Sequence, residues 1–292
     1  MSGFRQRLSQ TRAYLSLTLK PTGPESHMTS KAEHFAALHA GPAILVLPNA
    51  WDAASAAIME DAGAKAVATS SAAVAWAHGY PDGDTLPLEK LLFTVETVAR
   101  VVKVPVTADI EGGYTDDLAV LADNIKAVIG AGAVGINLED GSRDPDLHAR
   151  KIAAARKAAE SAGVDLFINA RIDTYLKRLF EGDAAEVETV KRAALYRKAG
   201  ADGIFVPGPT DDALIGRLAG AIDGPMNIML TGGLPSAARL QELGVRRLSS
   251  GGRPFAGAYA YLANAVKAYL ADGLATPFLI DGLGNLNKRF ER

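Results

Sequence analysis

A parallel (β/α)8 barrel of the TIM type, with an extra C-terminal helical segment, is the fold this sequence predicts. Three observations predict it. From about Lys31 onward, a short apolar run followed by an amphipathic stretch recurs eight times. The runs are almost continuously apolar, as strands covered on both faces must be. Four helix-to-strand turns share one design: Asp61-Ala62-Gly63-Ala64, Gly130-Ala131-Gly132-Ala133, Lys198-Ala199-Gly200-Ala201 and Glu242-Leu243-Gly244-Val245. A glycine just past the last helical turn takes the left-handed conformation that ends a helix, and a small residue after it starts a strand. An open doubly wound sheet is the competing architecture, and the count of eight favours the barrel.

In chain order, the predicted strands are 43–48, 64–70, 104–111, 134–140, 166–173, 203–207, 226–230 and 247–250. Each is a β-branched or aliphatic run bounded by Gly, Pro or a charged residue. The helices between and after them are predicted at 53–62, 88–102, 118–130, 147–162, 184–199, 212–221, 236–243 and 255–270, where apolar residues recur with helical spacing. Residues 31–292 form one domain on this reading, closed by the last helix and the apolar segment Thr276-Pro277-Phe278-Leu279-Ile280.

The chain has 292 residues, 48% of them hydrophobic, enough for one large core. A net charge of −2 without a long basic run argues against a nucleic-acid or anionic-membrane partner. No apolar stretch is long enough to span a bilayer, so a cytoplasmic protein is expected. The absence of cysteine removes disulfides, thiolate metal sites and a cysteine nucleophile. Residues 1–30 stand apart: Arg5, Arg7, Arg12 and Lys20 precede the first acid, Glu25, among Ser and Thr. This resembles a transit peptide, but a disordered extension ahead of the fold is the reading adopted.

In a barrel of this kind function gathers at the C-terminal ends of the strands. The polar residues of this chain fall there: Asn49 and Asp52, Ser70 and Ser71, Asp109 and Glu111, Glu139 and Asp140, Asn169, Arg171 and Asp173, then Asn227. Asp52, Asp212 and Ser236 have an ordinary use as helix caps. In Val106-Thr107-Ala108-Asp109-Ile110-Glu111-Gly112-Gly113-Tyr114 the strand alternation places Asp109 and Glu111 on one side, and two glycines end the strand. Paired carboxylates suit a hard divalent ion such as Mg2+ or Mn2+; solvation of an acidic strand end is the other reading. Glu139 and Arg171 end otherwise apolar strands, where a charge needs a partner or a ligand. Asp109, Glu111 and Glu139 facing Arg171 would make a site for a metal and an anionic substrate.

These residues resemble the isocitrate lyase and phosphoenolpyruvate mutase superfamily. The resemblance rests on Leu47-Pro48-Asn49-Ala50-Trp51-Asp52, Thr69-Ser70-Ser71-Ala72, Ala108-Asp109-Ile110-Glu111-Gly112-Gly113-Tyr114, Gly135-Ile136-Asn137-Leu138-Glu139-Asp140 and Ile168-Asn169-Ala170-Arg171-Ile172-Asp173, in that order. It implies that Asp109 is the nearest ligand of Mg2+, with Glu111 and Glu139 holding the ion through water. It implies further that Ser70 and the N–H groups of Ser71 and Ala72 bind a substrate carboxylate with Arg171. Asp82 would stand at the reacting end, Trp51 would wall the pocket and Asn227 would line it. Chelated by the metal, a 2-oxo acid exchanges a substituent at C3 through an enolate.

The sequence also departs from that pattern. Relatives that cleave isocitrate-type substrates carry a Lys-Cys-Gly loop, whereas here the loops after Tyr114 and Asp140 are short and hold no cysteine. His148 and Arg150 lie nearest, and a histidine at a helix start is expected to be a solvated surface residue. The expectation is therefore a cysteine-free Mg2+-dependent (or Mn2+-dependent) C–C bond lyase or hydrolase. Its substrate would be a small 2-oxo or 2-hydroxy di- or tricarboxylate. A P–C bond enzyme acting on phosphonopyruvate or phosphoenolpyruvate and a non-catalytic dicarboxylate-binding barrel are the alternatives. The resemblance also implies a homotetramer that exchanges C-terminal helices.

Overall fold

A computed structural model describes residues 25–291. The extension expected over residues 1–30 lies outside the described residues as far as residue 24, and the first helix, α1 (Glu25–Ala40), begins directly after it. The strand segments are β1 (Leu45–Leu47), β2 (Asn49–Ala50), β3 (Val67–Thr69), β4 (Val106–Asp109), β5 (Gly135–Glu139), β6 (Phe167–Arg171), β7 (Gly203–Phe205), β8 (Met226–Met229) and β9 (Arg247–Ser249). All pair in parallel in the order β1-β9-β8-β7-β6-β5-β4-β3-β2. Because β1 and β2 are separated by Pro48 alone, this ring is an eight-stranded barrel whose first strand is broken once.

Proline has no N–H to give a ladder, so the first strand splits there: its first half pairs with β9 and its second with β3. The side chain of Asn49 mends the seam. Its Oδ1 accepts the N–H groups of Ser250 and Gly251, both at 2.9 Å, and its Nδ2 donates to the Thr69 carbonyl at 2.8 Å. Asn49, expected among the site residues, is thus a structural tie across the last gap of the barrel.

The helices that follow the strands are α2 (Ala53–Asp61), α3 (Ser71–Ala77), α4 (Leu88–Val101), α5 (Leu118–Gly130), α6 (Pro145–Ser161), α7 (Gly182–Lys198), α8 (Asp212–Ala221), α9 (Ala237–Glu242) and α10 (Arg253–Asp272). Seven of the predicted strands are one to four residues longer than the paired segments, whereas the first, 43–48, stops two residues short of Ala50. Asp52 closes a capping box with Ser55, and Ser236 caps α9; the cap of α8 is Asp211 rather than Asp212, which pairs instead with Arg239.

The sequence pattern missed α1, α3 and the short C-terminal α11 (Leu286–Phe290). Helix α1 closes the N-terminal end of the barrel, where Phe35 meets Phe167 edge-on at 5.5 Å and His39 stacks on Phe167 at 4.0 Å. Gly135 is required there, since a Cβ would lie 2.6 Å from the Phe35 ring. Arg289 of α11 ties the chain's end to Asp61, Glu60 and the Val101 carbonyl.

The barrel interior carries a buried polar layer. Asn169 Nδ2 donates to Asn137 Oδ1 at 2.9 Å and to Asn227 Oδ1 at 3.2 Å, and Asn227 Nδ2 donates to Ser249 Oγ at 3.0 Å. Arg247, fully buried on β9, donates to Asn137 Oδ1 at 3.1 Å. Amides satisfy one another here in a space usually filled by aliphatic side chains. The layer forms the floor beneath the acidic end of the barrel.

Candidate active site

The C-terminal mouth is built around Arg171 at the end of β6. Its Nη1 lies 2.7 Å from Glu139 Oε2, the residue in register on β5, and its Nε donates to Asp173 Oδ1 at 2.7 Å. Asp173 is fully buried and held from behind: its N–H donates to Asp140 Oδ1 at 2.9 Å, while Asp140 Oδ2 accepts from Arg192 and Tyr196, both at 2.8 Å. Burial works against the charge on Arg171, but Glu139, Asp173 and Asp109 more than offset it and raise its pKa. Asp140, one of the polar strand-end residues, is therefore a buried support for Asp173 and not a pocket wall.

Asp109 ends β4 and is almost wholly buried. Desolvation pushes its carboxyl upward, and the nearby charge of Arg171 pulls it back. Glu111 and Glu139 are raised by burial to about 7 and about 8. Each of the three feels another carboxylate, Asp82 acting on both Asp109 and Glu111, and Asp109 acting on Glu111 and Glu139. The expected acids are thus brought into one desolvated, charge-crowded space, with Asp82 at its exposed edge.

One detail of the sequence reading is corrected. Alternation along a strand does not bring Asp109 and Glu111 together, because β4 ends at Asp109 and Glu111 sits beyond it with φ of 51°. That left-handed turn aims Glu111 at the loop before α4. Its Oε2 accepts the N–H groups of Gly83, at 2.8 Å, and of Asp84, and its Oε1 accepts from the Tyr114 hydroxyl at 3.2 Å. Glu111 therefore anchors the loop that carries Asp82.

The short loops are tied together by a second network. Asp84 Oδ1 accepts from Gly112 and Tyr114, and its Oδ2 from Arg143 Nη2 at 2.6 Å. Arg143 Nε also donates to Asp116 Oδ1 at 2.9 Å, which accepts in addition from the buried Lys151 at 2.7 Å. The Arg143 guanidinium lies directly on Gly112, so that a Cβ there would collide with it. Gly113, with φ of 86°, has Leu121 where its Cβ would point. The glycine pair after the acids thus serves close packing as well as the turn. Arg143 and Lys151 escaped the sequence reading because nothing in local spacing links them to Asp84 or Asp116.

Ser70 caps α3, its Oγ accepting from Ala73 at 3.4 Å. First-turn N–H groups of a helix, here those of Ser71 and Ala72, have no intrahelical acceptor. Trp51 joins an aromatic wall with Phe255 and Tyr259 of α10, at 5.3 and 6.5 Å. Asn227 lies in the interior amide layer, with Oδ1 and Nδ2 both engaged below the acids. Arg150 is exposed on α6. His148 overturns its expectation: it is fully buried, edge-on to Tyr196 at 4.7 Å, and burial followed by the cations Lys151 and Arg143 lowers its pKa to about 3. It is a neutral core residue, neither solvated nor catalytic.

Among the described residues, no three carboxylate or imidazole side chains converge closely enough to ligate one ion directly. The all-oxygen donors gathered here, Asp109, Glu111 and Glu139, are of the chemistry that suits a hydrated hard cation. Burial, with neighbouring carboxylates adding to it, raises all three carboxyls, and a divalent charge would oppose both effects.

A parallel barrel carries its active site at the C-terminal ends of its strands, and the acids and the pinned arginine of this chain stand there, as in barrel enzymes. The family model described as phosphoenolpyruvate phosphomutase matches residues 35–270, and the chain belongs to that family, within the phosphoenolpyruvate mutase and isocitrate lyase superfamily of lyases and mutases. A Mycobacterium tuberculosis protein of uncharacterized function is 38% identical over 82% of this chain and 90% of its own length. A solved Burkholderia cenocepacia protein, provisionally assigned as a phosphonomutase, is 43% identical with a TM-score of 0.79, covering 82% of this chain and 99% of that one. Oxaloacetate decarboxylase of Pseudomonas fluorescens is 28% identical over 74% of this chain and 77% of its own. Among the described residues no helix is long and apolar enough to cross a membrane.

Proposed function

We propose that this protein is a cytoplasmic, Mg2+-dependent carbon–carbon bond lyase or hydrolase acting on a small 2-oxo or 2-hydroxy di- or tricarboxylate. The observation that carries the reading is Arg171, fixed by Glu139 and Asp173 beside the buried Asp109. A held cation next to crowded, desolvated acids is an arrangement for an anionic substrate and a hard metal ion together. The 28% identity to an oxaloacetate decarboxylase is consistent with it.

Asp109, Glu111 and Glu139 would hold the ion. When bound, it supplies stabilisation of the negative charge that develops on the substrate as the bond at C3 breaks. Arg171 pairs with the substrate carboxylate, and Ser70 with the N–H groups of Ser71 and Ala72 orients it. Trp51, backed by Phe255 and Tyr259, keeps water from one side of the pocket. Asp82, on the loop anchored by Glu111, stands where a proton at C3 is exchanged.

The test is a substrate panel followed by NMR with and without Mg2+: oxaloacetate, isocitrate, methylisocitrate, substituted malates and phosphonopyruvate. Metal-dependent loss of one carboxylate is expected, abolished in Asp109→Ala while the folded spectrum persists. Binding without turnover of any compound would replace the enzyme by a dicarboxylate-binding barrel. The phosphonate reading is favoured by the Burkholderia relative, and metal-dependent phosphate release from phosphonopyruvate would establish it. A homotetramer is proposed too, supported by the exposed Leu262, Val266 and Leu270 along α10 with Leu279 and Ile280 beyond it. Light scattering that gives a monomer at micromolar concentration would refute it.

A further inference from the structure

The mouth of the barrel holds two cations besides Arg171 whose hydrogen-bonding capacity is only partly used. Arg143 spends Nε on Asp116 and Nη2 on Asp84, while Nη1 turns toward Gly141. Lys177, on the loop after β6, has its Nζ 4.0 Å from Asp173 Oδ2, beyond hydrogen-bond range. Gly141 has φ of 58°, and a Cβ built on it would lie 3.2 Å from Lys177 Nζ, 3.5 Å from Arg143 Nη1 and 3.9 Å from Glu139 Oε1. Gly141, buried and without a side chain, lets Lys177, Arg143 and Glu139 close around one point at the mouth, a cradle of charged atoms. Two cations and one carboxylate oxygen face it. Glu139 turns its other oxygen, Oε2, to Arg171, so the cradle adjoins the pocket and is not a separate surface feature.

We infer that Lys177, assisted by Arg143, is the specificity-determining residue that pairs with a second anionic group of the substrate, the one remote from the carboxylate on Arg171. The inference rests on the reading of the site under "Proposed function" and assigns the residue that reads the substrate's second anionic group. The carboxylates around the cradle, Glu139, Asp173, Asp84 and Asp116, outnumber its two cations, so an anion is held there by direct bonds from Lys177 and Arg143 and not by net charge. Lys177 and Arg143 arrive at this position from the loops after β6 and β5. Lys177 also makes no short contact that its removal would break, since Arg171 keeps its own bonds to Asp173 and Glu139. A terminal carboxylate and a phosphonate share the recognising chemistry.

The test is calorimetric titration of the Mg2+-loaded protein with three probes: oxalate, which has no remote group, 3,3-difluorooxaloacetate, and phosphonopyruvate. For Lys177→Met the expected result is a loss of about tenfold for the two longer probes, the worth of one solvent-screened charge-assisted bond. Oxalate affinity should be unchanged. Lys177→Arg should restore the loss, Gly141→Ala should reproduce it by crowding Lys177 Nζ out of its place, and added salt should weaken the longer probes more in the native protein than in Lys177→Met. The longer probe that binds native protein more tightly identifies the remote group as carboxylate or phosphonate. Unchanged binding of both longer probes by Lys177→Met, with oxalate still bound, would overturn the inference and leave the site reading standing. An equal loss for oxalate would overturn it as well, because Lys177 would then act through Arg171 and Asp173. Failure of the native protein to bind any probe would refute the site reading and this inference with it.

Discussion

His148 makes the protein's stability acid-sensitive in a way that a single substitution should remove. The residue is fully buried on α6, and neither ring nitrogen finds a well-aligned partner, the Leu138 backbone being the nearest hydrogen-bonding group. Tyr196 covers one edge, and the charged groups around it, Lys151, Arg143 and Arg192, are all cationic. Desolvation and these charges hold its pKa near 3 against an ordinary 6.5. The sign follows from linkage: below pH 6.5 the unfolded chain binds a proton that the folded protein refuses, so stability falls as pH falls until about pH 3. Between pH 7 and pH 5 the loss from this residue is roughly 2 kcal/mol. His148→Leu keeps a similar volume and removes two unpartnered nitrogens, so at pH 7 it should be neutral or slightly stabilising. Urea unfolding of both proteins at pH 7 and pH 5 is the assay, with the variant expected to gain about 2 kcal/mol over native at the lower pH. Taking the difference cancels His39, which is depressed in the same way, and Glu111 and Glu139, whose raised carboxyls gain stability as pH falls. A native-minus-variant difference that does not change with pH would refute the assignment of a buried neutral imidazole. Loss of activity in a stable His148→Leu protein would refute the reading of His148 as a core residue with no catalytic part.

Two further substitutions probe the supports of the site. Asp116→Asn should destabilise the protein by about 1–2 kcal/mol at pH 7, because it strips the buried Lys151 of its counter-charge although Asp116 itself is half exposed. Hydrogen bonding to Lys151 depresses the Asp116 carboxyl below 3.8, so this difference should be full above pH 4 and shrink as pH falls through the folded-state value; a difference that grows in acid would refute it. Asp140→Asn leaves Arg192 and the Asp173 N–H facing a weakened acceptor, and a loss on the order of 3 kcal/mol is expected in thermal or urea unfolding. KM should rise with it, as Asp173 no longer fixes Arg171; an unchanged KM would show that Arg171 is held by Glu139 alone.

How much of this was legible beforehand depends on whether the cause of a feature is local. The barrel was, because each strand and helix writes its own period and the glycine turns repeat. The acids were, because Asp109, Glu139 and Arg171 interrupt apolar strands where only a partner or a ligand explains a charge. Helix α1 was not: its burial against Phe167 is a tertiary fact, and its own residues show little amphipathic pattern. Nor was the interior layer of Asn137, Asn169, Asn227 and Arg247, whose amides become acceptable only when four strands bring them together. His148 was misread for the same reason, since a polar residue near a helix start is usually solvated and only the packing of α7 against α6 buries this one.

The loops settle what the missing cysteine loop left open about the shape of the site. In this protein the residues that line the mouth do not depend on a long closing segment for their positions. Asp84, Glu111 and Tyr114 all adopt left-handed backbone conformations, with φ of 56°, 51° and 62°, and all three belong to the network that ties the loops after β3 and β4 together. Such conformations are unfavourable for residues with a Cβ and persist only where surrounding contacts over-determine them. Those contacts are present: Glu111 holds two N–H groups of the Asp84 loop, Asp84 returns two bonds to Gly112 and Tyr114, and Arg143 bridges Asp84 to Asp116. The strain is therefore held by contacts that fix the loop carrying Asp82 against Glu111. Relaxing it should separate the two effects, because Tyr114→Phe removes one contact to Glu111 without touching Arg143. A rise in KM with unchanged salt dependence of binding is the expected outcome. An unchanged KM would mean that the Arg143 bridge between Asp84 and Asp116, and not the Glu111 anchor, holds the mouth in shape.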